Sequence, residues 1–247
     1  MKKSKVPRTC YVSLILFWSI QLCHGQQKIT FYSSDSLKIT ADIYVAQDQA
    51  PYIILCHLSG LSRGEYLETA KKLLAAGYNC LALDARSGGE VFGVINETAV
   101  EARAHNKPTD FLDAEKDIEA AITYATHLSD GSVALLGSSY SASLCLKIAA
   151  REPKVKVVLA FSPGEHFGSK LNLKTSIKDL NKPVFVTSSR KETQDVAVLI
   201  EGIRSKEVAH FVPEGEGAHG SIALWERTSN HAEYWKEMLA FLNKFLK

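Results

Sequence analysis

SVALLGSSYSASLCLKIAA, residues 132–150, decides how this chain is read. Residues 132–137 are a short apolar run, and residues 139–150 repeat apolar positions at helical spacing. Between the two patterns stands Gly137-Ser138-Ser139-Tyr140-Ser141. A strand-to-helix turn this tight needs small residues two before and two after its apex. The apex side chain is then pushed out above the sheet, beside the helix N-terminus. Ser139 is that apex. The N–H groups of a helix end beside it can stabilise a developing oxyanion.

Working outward, the same alternation repeats along the chain. Short β-rich runs occupy residues 52–57 (YIILCH), 79–84 (NCLALD), 155–161 (VKVVLAF), 183–188 (PVFVTS) and 208–212. Most are apolar throughout, as strands buried on both faces are. Helical patterns lie between them at 65–76, 110–127 (with Thr109 as N-cap), 139–150, 193–204 and 231–246. Strands alternating with helices predict a mainly parallel sheet covered on both faces. Upstream, 28–32 and 37–45 read as a hairpin turned at Ser33-Ser34-Asp35-Ser36, which supplies an antiparallel edge. The expectation is an α/β fold with about eight strands. Two long connections, 85–108 and 162–182, leave the carboxyl ends of strands, where open α/β sheets bind ligands.

A serine hydroxyl needs a base, and the base needs an orienting acid. His219 sits in Gly215-Glu216-Gly217-Ala218-His219-Gly220, after the 208–212 strand and before the last helix. A histidine on a glycine-rich loop is a poor core residue and a good base. The acid should follow the preceding strand. Glu192 lies where the chain turns back after 183–188, and Asp195, one turn further on, competes with it.

The order Ser139, acid, His219 resembles that of the α/β hydrolases, nearest the small dienelactone hydrolase-like and esterase branch with no large cap domain. The resemblance covers about residues 50–247. It departs from the family at three places: Ser141 replaces the last glycine of GxSxG, the acid is Glu rather than the commoner Asp, and the usual HG reads His57-Leu58-Ser59-Gly60. The resemblance implies an oxyanion hole made by the N–H groups of Tyr140 and Ser59, with Leu58 as the alternative to Ser59.

Other polar residues near this edge are open to two readings. His57 ends a buried strand and either supports the oxyanion loop or contacts substrate. Arg63, Glu65 and Tyr66 open a helix, as capping and ion-pairing residues or as the floor of the site. Arg86 and Glu90, in Arg86-Ser87-Gly88-Gly89-Glu90, are candidates for binding a polar or anionic substrate or for anchoring their loop. Glu165 and His166 read mainly as structural. Asn96-Glu97-Thr98 fits the glycosylation sequon. No spacing suggests a metal ligand set or a cofactor site.

Hydrophobic residues make up 46% of the chain and charged residues 23%, which excludes disordered and collagen-like classes. Residues 1–25 carry Lys2, Lys3, Lys5 and Arg8, then the apolar run 11–22, with Cys23 and Gly25 at the −3 and −1 positions. This is the pattern of a cleaved export signal rather than a membrane span. A lipid anchor on Cys23 is the alternative, and the bulky Leu22 disfavours it. Those 25 residues hold four of the 29 basic residues and none of the 27 acidic ones, so without them the net charge moves from +2 to −2. No basic stripe remains for nucleic acid. Three cysteines are left, Cys56, Cys80 and Cys145, each in an apolar stretch and read as a buried thiol. The expectation is a secreted or periplasmic serine hydrolase, one domain over 26–247. Its substrate is a small or polymer-attached acyl ester. An amidase or peptidase on the same residues is the second reading. A non-catalytic binding protein, motivated by Ser141 and the missing HG pair, is the third.

Overall fold

The computed structural model describes residues 25–128 and 131–246, so the expected export signal lies outside the described residues apart from Gly25. The chain opens with β1 (Gln26–Tyr32), β2 (Lys38–Tyr44), β3 (Tyr52–Cys56), α1 (Leu67–Ala75) and β4 (Asn79–Leu83). A small hairpin, β5 (Glu90–Val91) and β6 (Val94–Ile95), then leads through α2 (Glu97–Ala104) to α3 (Glu115–Thr126). The rest alternates: β7 (Val133–Ser138), α4 (Tyr140–Ala149), β8 (Val155–Phe161), α5 (Leu173–Ser176), β9 (Val184–Thr187), α6 (Thr193–Ile200), β10 (Val208–Phe211) and α7 (His231–Phe245).

Among the described residues eight strands form one sheet in the order β1-β2-β4-β3-β7-β8-β9-β10. The β1–β2 and β2–β4 pairs are antiparallel and the others parallel. Every residue of β3, β4 and β7 is buried, which is why these strands read as near-continuous apolar runs, broken only by Asn79 at the start of β4 and Ser138 at the end of β7. Successive side chains go to opposite faces. Ile54, Leu135 and Ala160 join a core with α3, α4 and α6, whereas Ile53, Leu136 and Phe161 join one with α1 and α7. In β8 the alternation slips once. Val155 and Val157 face opposite cores because the register shifts at this point and leaves Lys156 exposed. Tyr234, Met238 and Leu242, at helical spacing on α7, are fully buried and clamp this helix to the sheet. Each such side chain contributes roughly 1.5–3 kcal/mol.

The connection 85–108 is not the bare loop that its glycines suggest, since it holds β5, β6 and α2. The 162–183 connection contains only a 3₁₀ turn, Gly168–Lys170, and α5, so among the described residues no cap domain covers the sheet edge. Thr109 is not a cap. Asp110 and Asp113 form a capping box for the 3₁₀ turn Phe111–Ala114, from which α3 continues. Cys56, Cys80 and Cys145 are free and buried. Among the described residues no helix is long and apolar enough to cross a membrane.

Candidate active site

The carboxyl ends of β3, β7, β8, β9 and β10 gather at one edge of the sheet. Ser139 stands between β7 and α4 with φ +59° and ψ −123°, in the left-handed region that non-glycine residues rarely occupy. The turn is tight enough that Gly137 is required. A Cβ there would lie 2.5–2.6 Å from backbone atoms of Ser141 and Ala142. Position 141 has more room, and the Ser141 hydroxyl donates to the His57 carbonyl at 2.6 Å.

The Ser139 hydroxyl lies 2.8 Å from Nε2 of His219, and Nδ1 of His219 lies 2.6 Å from Oε1 of Glu192. In the tautomer that satisfies both contacts, Ser139 donates to Nε2 and Nδ1–H donates to Glu192. Asp195 is exposed on the first turn of α6, and Glu192 takes the place beside His219. The second oxygen of Glu192 accepts from the Ser162 hydroxyl at 2.9 Å and from the Ser189 N–H and hydroxyl at 3.1 and 2.6 Å. Burial works to raise the Glu192 carboxyl, but the bonds from His219, Ser189 and Ser162 outweigh it and hold the pKa at about 2. The hydrogen bond to Glu192 raises His219 above its ordinary value, against a smaller opposing effect of burial.

The N–H groups of Tyr140 and Ser59 are the expected oxyanion donors at this end of the sheet. Tyr140 is the first residue of α4, so its N–H has no carbonyl four residues back within the helix. In the 57–60 loop, the Leu58 N–H is already given to Glu65 Oε2 at 2.8 Å, whereas among the described residues the Ser59 N–H has no protein partner. The Tyr140 ring stacks on Phe111 at 4.4 Å, and its hydroxyl accepts from Ser87.

The substrate-contact readings of His57 and Arg86 are corrected by their burial. His57 is fully buried. Its Nδ1–H donates to the Leu58 carbonyl, and Nε2 accepts from the Ala85 N–H at 2.9 Å and from the Asn96 amide at 3.1 Å. Burial lowers its pKa to about 4, so it is a neutral strut beneath the 57–60 loop. Arg86 is also fully buried, between Asp117 and Asp35. Gly88 approaches not a ligand but this same scaffold, since a Cβ there would lie 2.0 Å from Asn96 and 2.7 Å from His57. Glu90 stands exposed on β5 and hydrogen-bonds to none of the candidate residues. Asn96 is buried as the N-cap of α2, its side chain accepting from Ala99 N–H. Arg63 pairs with Asp84, Asp42 and Glu97. Glu65 and Tyr66, by contrast, lie buried below the site. Glu165 caps α5 through the Leu173 and Lys174 N–H groups.

Sequence reasoning missed the serines that brace the site. Ser162, itself at φ +52°, accepts the Gly220 N–H at 2.9 Å while donating to Glu192. The Ser138 hydroxyl accepts the Ser221 N–H at 2.8 Å. The Ser221 hydroxyl donates to Glu65. The available signal was a serine at the carboxyl end of a buried strand, Ser138 closing β7 and Ser162 following β8; nothing local marks Ser221. A cavity of about 440 Å³ opens beside Glu192, lined by Ser162, Pro163, His166, Val196 and Leu199 among others.

A serine lifted on a left-handed turn at the carboxyl edge of this sheet marks the chain as an α/β hydrolase. Within that class it belongs to the X-Pro dipeptidyl-peptidase (S15) family, whose profile matches residues 35–237. Solved structures share the fold at low identity. An esterase from Pyrococcus furiosus is 16% identical with a TM-score of 0.67, covering 91% of this chain and 92% of that one. A dienelactone hydrolase from Anabaena variabilis is 14% identical with a TM-score of 0.68, covering 90% and 99%. A Penicillium α/β hydrolase is 13% identical with a TM-score of 0.70, also covering 90% and 99%. A curated relative, an acyltransferase from Aspergillus calidoustus, is 26% identical over 147 residues. That match takes in 56% of this chain and 42% of the acyltransferase, so it spans less than half of that protein's length.

Proposed function

We propose that this chain is an exported serine hydrolase that cleaves acyl esters through Ser139, His219 and Glu192. The observation that carries the reading is the unbroken hydrogen-bonded chain from the strained Ser139 through His219 to Glu192. In this mechanism His219 Nε2 takes the Ser139 proton as Oγ attacks the acyl carbon. The N–H groups of Tyr140 and Ser59 receive the developing oxyanion. Glu192 holds the ring in the required tautomer and stabilises the imidazolium. His219 then gives its proton to the leaving alcohol. A water molecule, deprotonated by the same ring, releases the acyl group from Ser139.

The short connection between β8 and β9 and the absence of a cap domain among the described residues favour short or polymer-attached acyl groups over long chains. An amide substrate is the second reading, and the dipeptidyl-peptidase family match favours it. A relative named as an acyltransferase is consistent with acyl transfer as a further reading, in which an acceptor other than water takes the acyl group from Ser139. Export rests on the 1–25 pattern, with one hydrolase domain over 26–247, and a mature N-terminus at Gln26 is the expected result of N-terminal sequencing.

The test is labelling with a fluorophosphonate probe, followed by a p-nitrophenyl ester series and an X-Pro dipeptide amide. Labelling at Ser139, lost in Ser139→Ala, with acetate turned over faster than laurate, supports the ester reading. Turnover of the amide alone selects the peptidase. A folded protein that does not label is a binding protein built on a hydrolase fold.

A further inference from the structure

The peptide joining His57 to Leu58 is fastened at both edges. Its carbonyl accepts from the Ser141 hydroxyl at 2.6 Å, and its N–H donates to Glu65 Oε2 at 2.8 Å. Ser141 and Glu65 are both buried, and Glu65 lies on the 3₁₀ turn Arg63–Tyr66 that leads into α1. The next N–H along the chain belongs to Ser59. A peptide plane bonded on opposite edges cannot flip without breaking a buried bond, so the Leu58 N–H is kept turned to Glu65. The next peptide starts from this fixed plane, and its Leu58 carbonyl is held by His57 Nδ1–H at 2.8 Å and Leu61 N–H at 3.3 Å, which leaves the Ser59 N–H as the free donor.

Glu65 is bound at its other oxygen too. Oε1 accepts the Ser221 hydroxyl, and the Ser221 N–H goes to Ser138 Oγ at 2.8 Å. Ser221 follows His219 by two residues, and Ser138 precedes Ser139. One buried carboxylate thus links the 57–60 loop, the serine turn and the histidine loop. A fully buried carboxylate is costly unless its lone pairs are used, and here both oxygens are. The position of the family's last motif glycine, where Ser141 weakens the sequence match, supplies the opposite fastening.

We propose that Ser141 and Glu65 are positioning residues that clamp the His57–Leu58 peptide so that Ser59, and not Leu58, presents its N–H to the substrate oxyanion. This rests on the serine hydrolase reading. Neither side chain touches the substrate. Their effect falls on the transition state, where the oxyanion exists, rather than on ground-state binding.

The experiment compares wild type, Ser141→Ala and Glu65→Gln. Ser141→Ala removes only a hydroxyl. Gln offers one acceptor where Glu65 serves two donors. Active sites are counted by fluorophosphonate titration, so a loss of folded protein does not enter kcat. Expected is a fall in kcat for p-nitrophenyl acetate of about tenfold or more, with KM within about twofold. Ki for a trifluoromethyl ketone, which binds as an oxyanion, rises in parallel. Unchanged kcat and Ki in Ser141→Ala overturn the clamp at its carbonyl edge, and the same result in Glu65→Gln overturns it at its N–H edge. If Glu65→Gln does not fold, Ser141→Ala alone decides. A wild type that neither labels nor turns over substrate overturns the hydrolase reading itself, and the clamp with it.

Discussion

Asp117 grips the guanidinium of Arg86 side-on, with its Oδ1 3.0 Å from Nε and 2.7 Å from Nη2. Both side chains are fully buried, and Asp35 closes the far side of the fork at 2.8 and 3.0 Å. Breaking a buried pair by removing one partner leaves an uncompensated charge. Arg86→Leu is therefore expected to lower stability by about 3–5 kcal/mol in urea unfolding. Turnover per folded molecule should stay within about twofold, since the side chain does not reach the site. A raised KM with unchanged stability would restore the substrate-binding role.

Glu192 and Asp195 are three residues apart and chemically alike, but only Glu192 meets His219. Glu192→Gln leaves the ring without its charged partner and should cut kcat/KM by about 10³–10⁴-fold. Asp195→Asn should change it by less than about twofold. Steady-state kinetics on one short ester separates the two, and the reverse ranking would move the acid to Asp195.

The direction of the His219 shift sets the pH dependence. Catalysis needs the neutral ring, and the bond to Glu192 favours the charged one, so the midpoint lies above the ordinary 6.5. Activity should rise with pH through that midpoint. Glu192, held at about 2, stays ionised across the whole range. In the kcat/KM profile a single acid limb centred above 6.5 is expected, and it should move down in Glu192→Gln. A limb centred below 6 would contradict the His219–Glu192 bond.

Asn96 fits a sequon but is buried, with its amide donating to the Ala85 carbonyl at 2.8 Å. The folded protein should carry no glycan at this position when secreted from a eukaryotic host, as peptide mass mapping reads directly. Asn96→Ala should cost about 2–4 kcal/mol, because it removes an N-cap and leaves the His57 and Ala85 acceptors short of a donor. A glycan on Asn96 in folded, active protein would refute this account.

The sheet was legible because strands buried on both faces must be apolar at every position. Residues 52–56 and 133–136 satisfy this in full. The serine turn was legible because steric crowding at Gly137 restricts the residue types there. α2 was missed. Its buried residues are Thr98, Ala99 and Ala102 while Val100 is exposed, so its hydrophobic pattern hides its buried face. The roles of Arg86 and Glu65 were not legible for another reason. Their partners are Asp117, 31 residues away, and Ser221, 156 away. A charged residue on a loop beside a ligand edge looks the same in sequence whether it points out to a substrate or back into the scaffold. Only the chain's closure distinguishes the two.

The serine hydroxyls that brace the site have a consequence for its motions. Ser138, Ser141, Ser162 and Ser221 bond the loops after β3, β7, β8 and β10 to one another through buried groups. Loops near a ligand edge usually open on their own at little cost, well before the core. Here the amides of Leu58, Gly220 and Ser221 are each given to a buried side chain, so exposing one means disturbing several loops together. In native-state hydrogen exchange these three amides should therefore belong to the slowest cooperative unit, alongside the central strands, and the edge that meets substrate should behave as rigid scaffold.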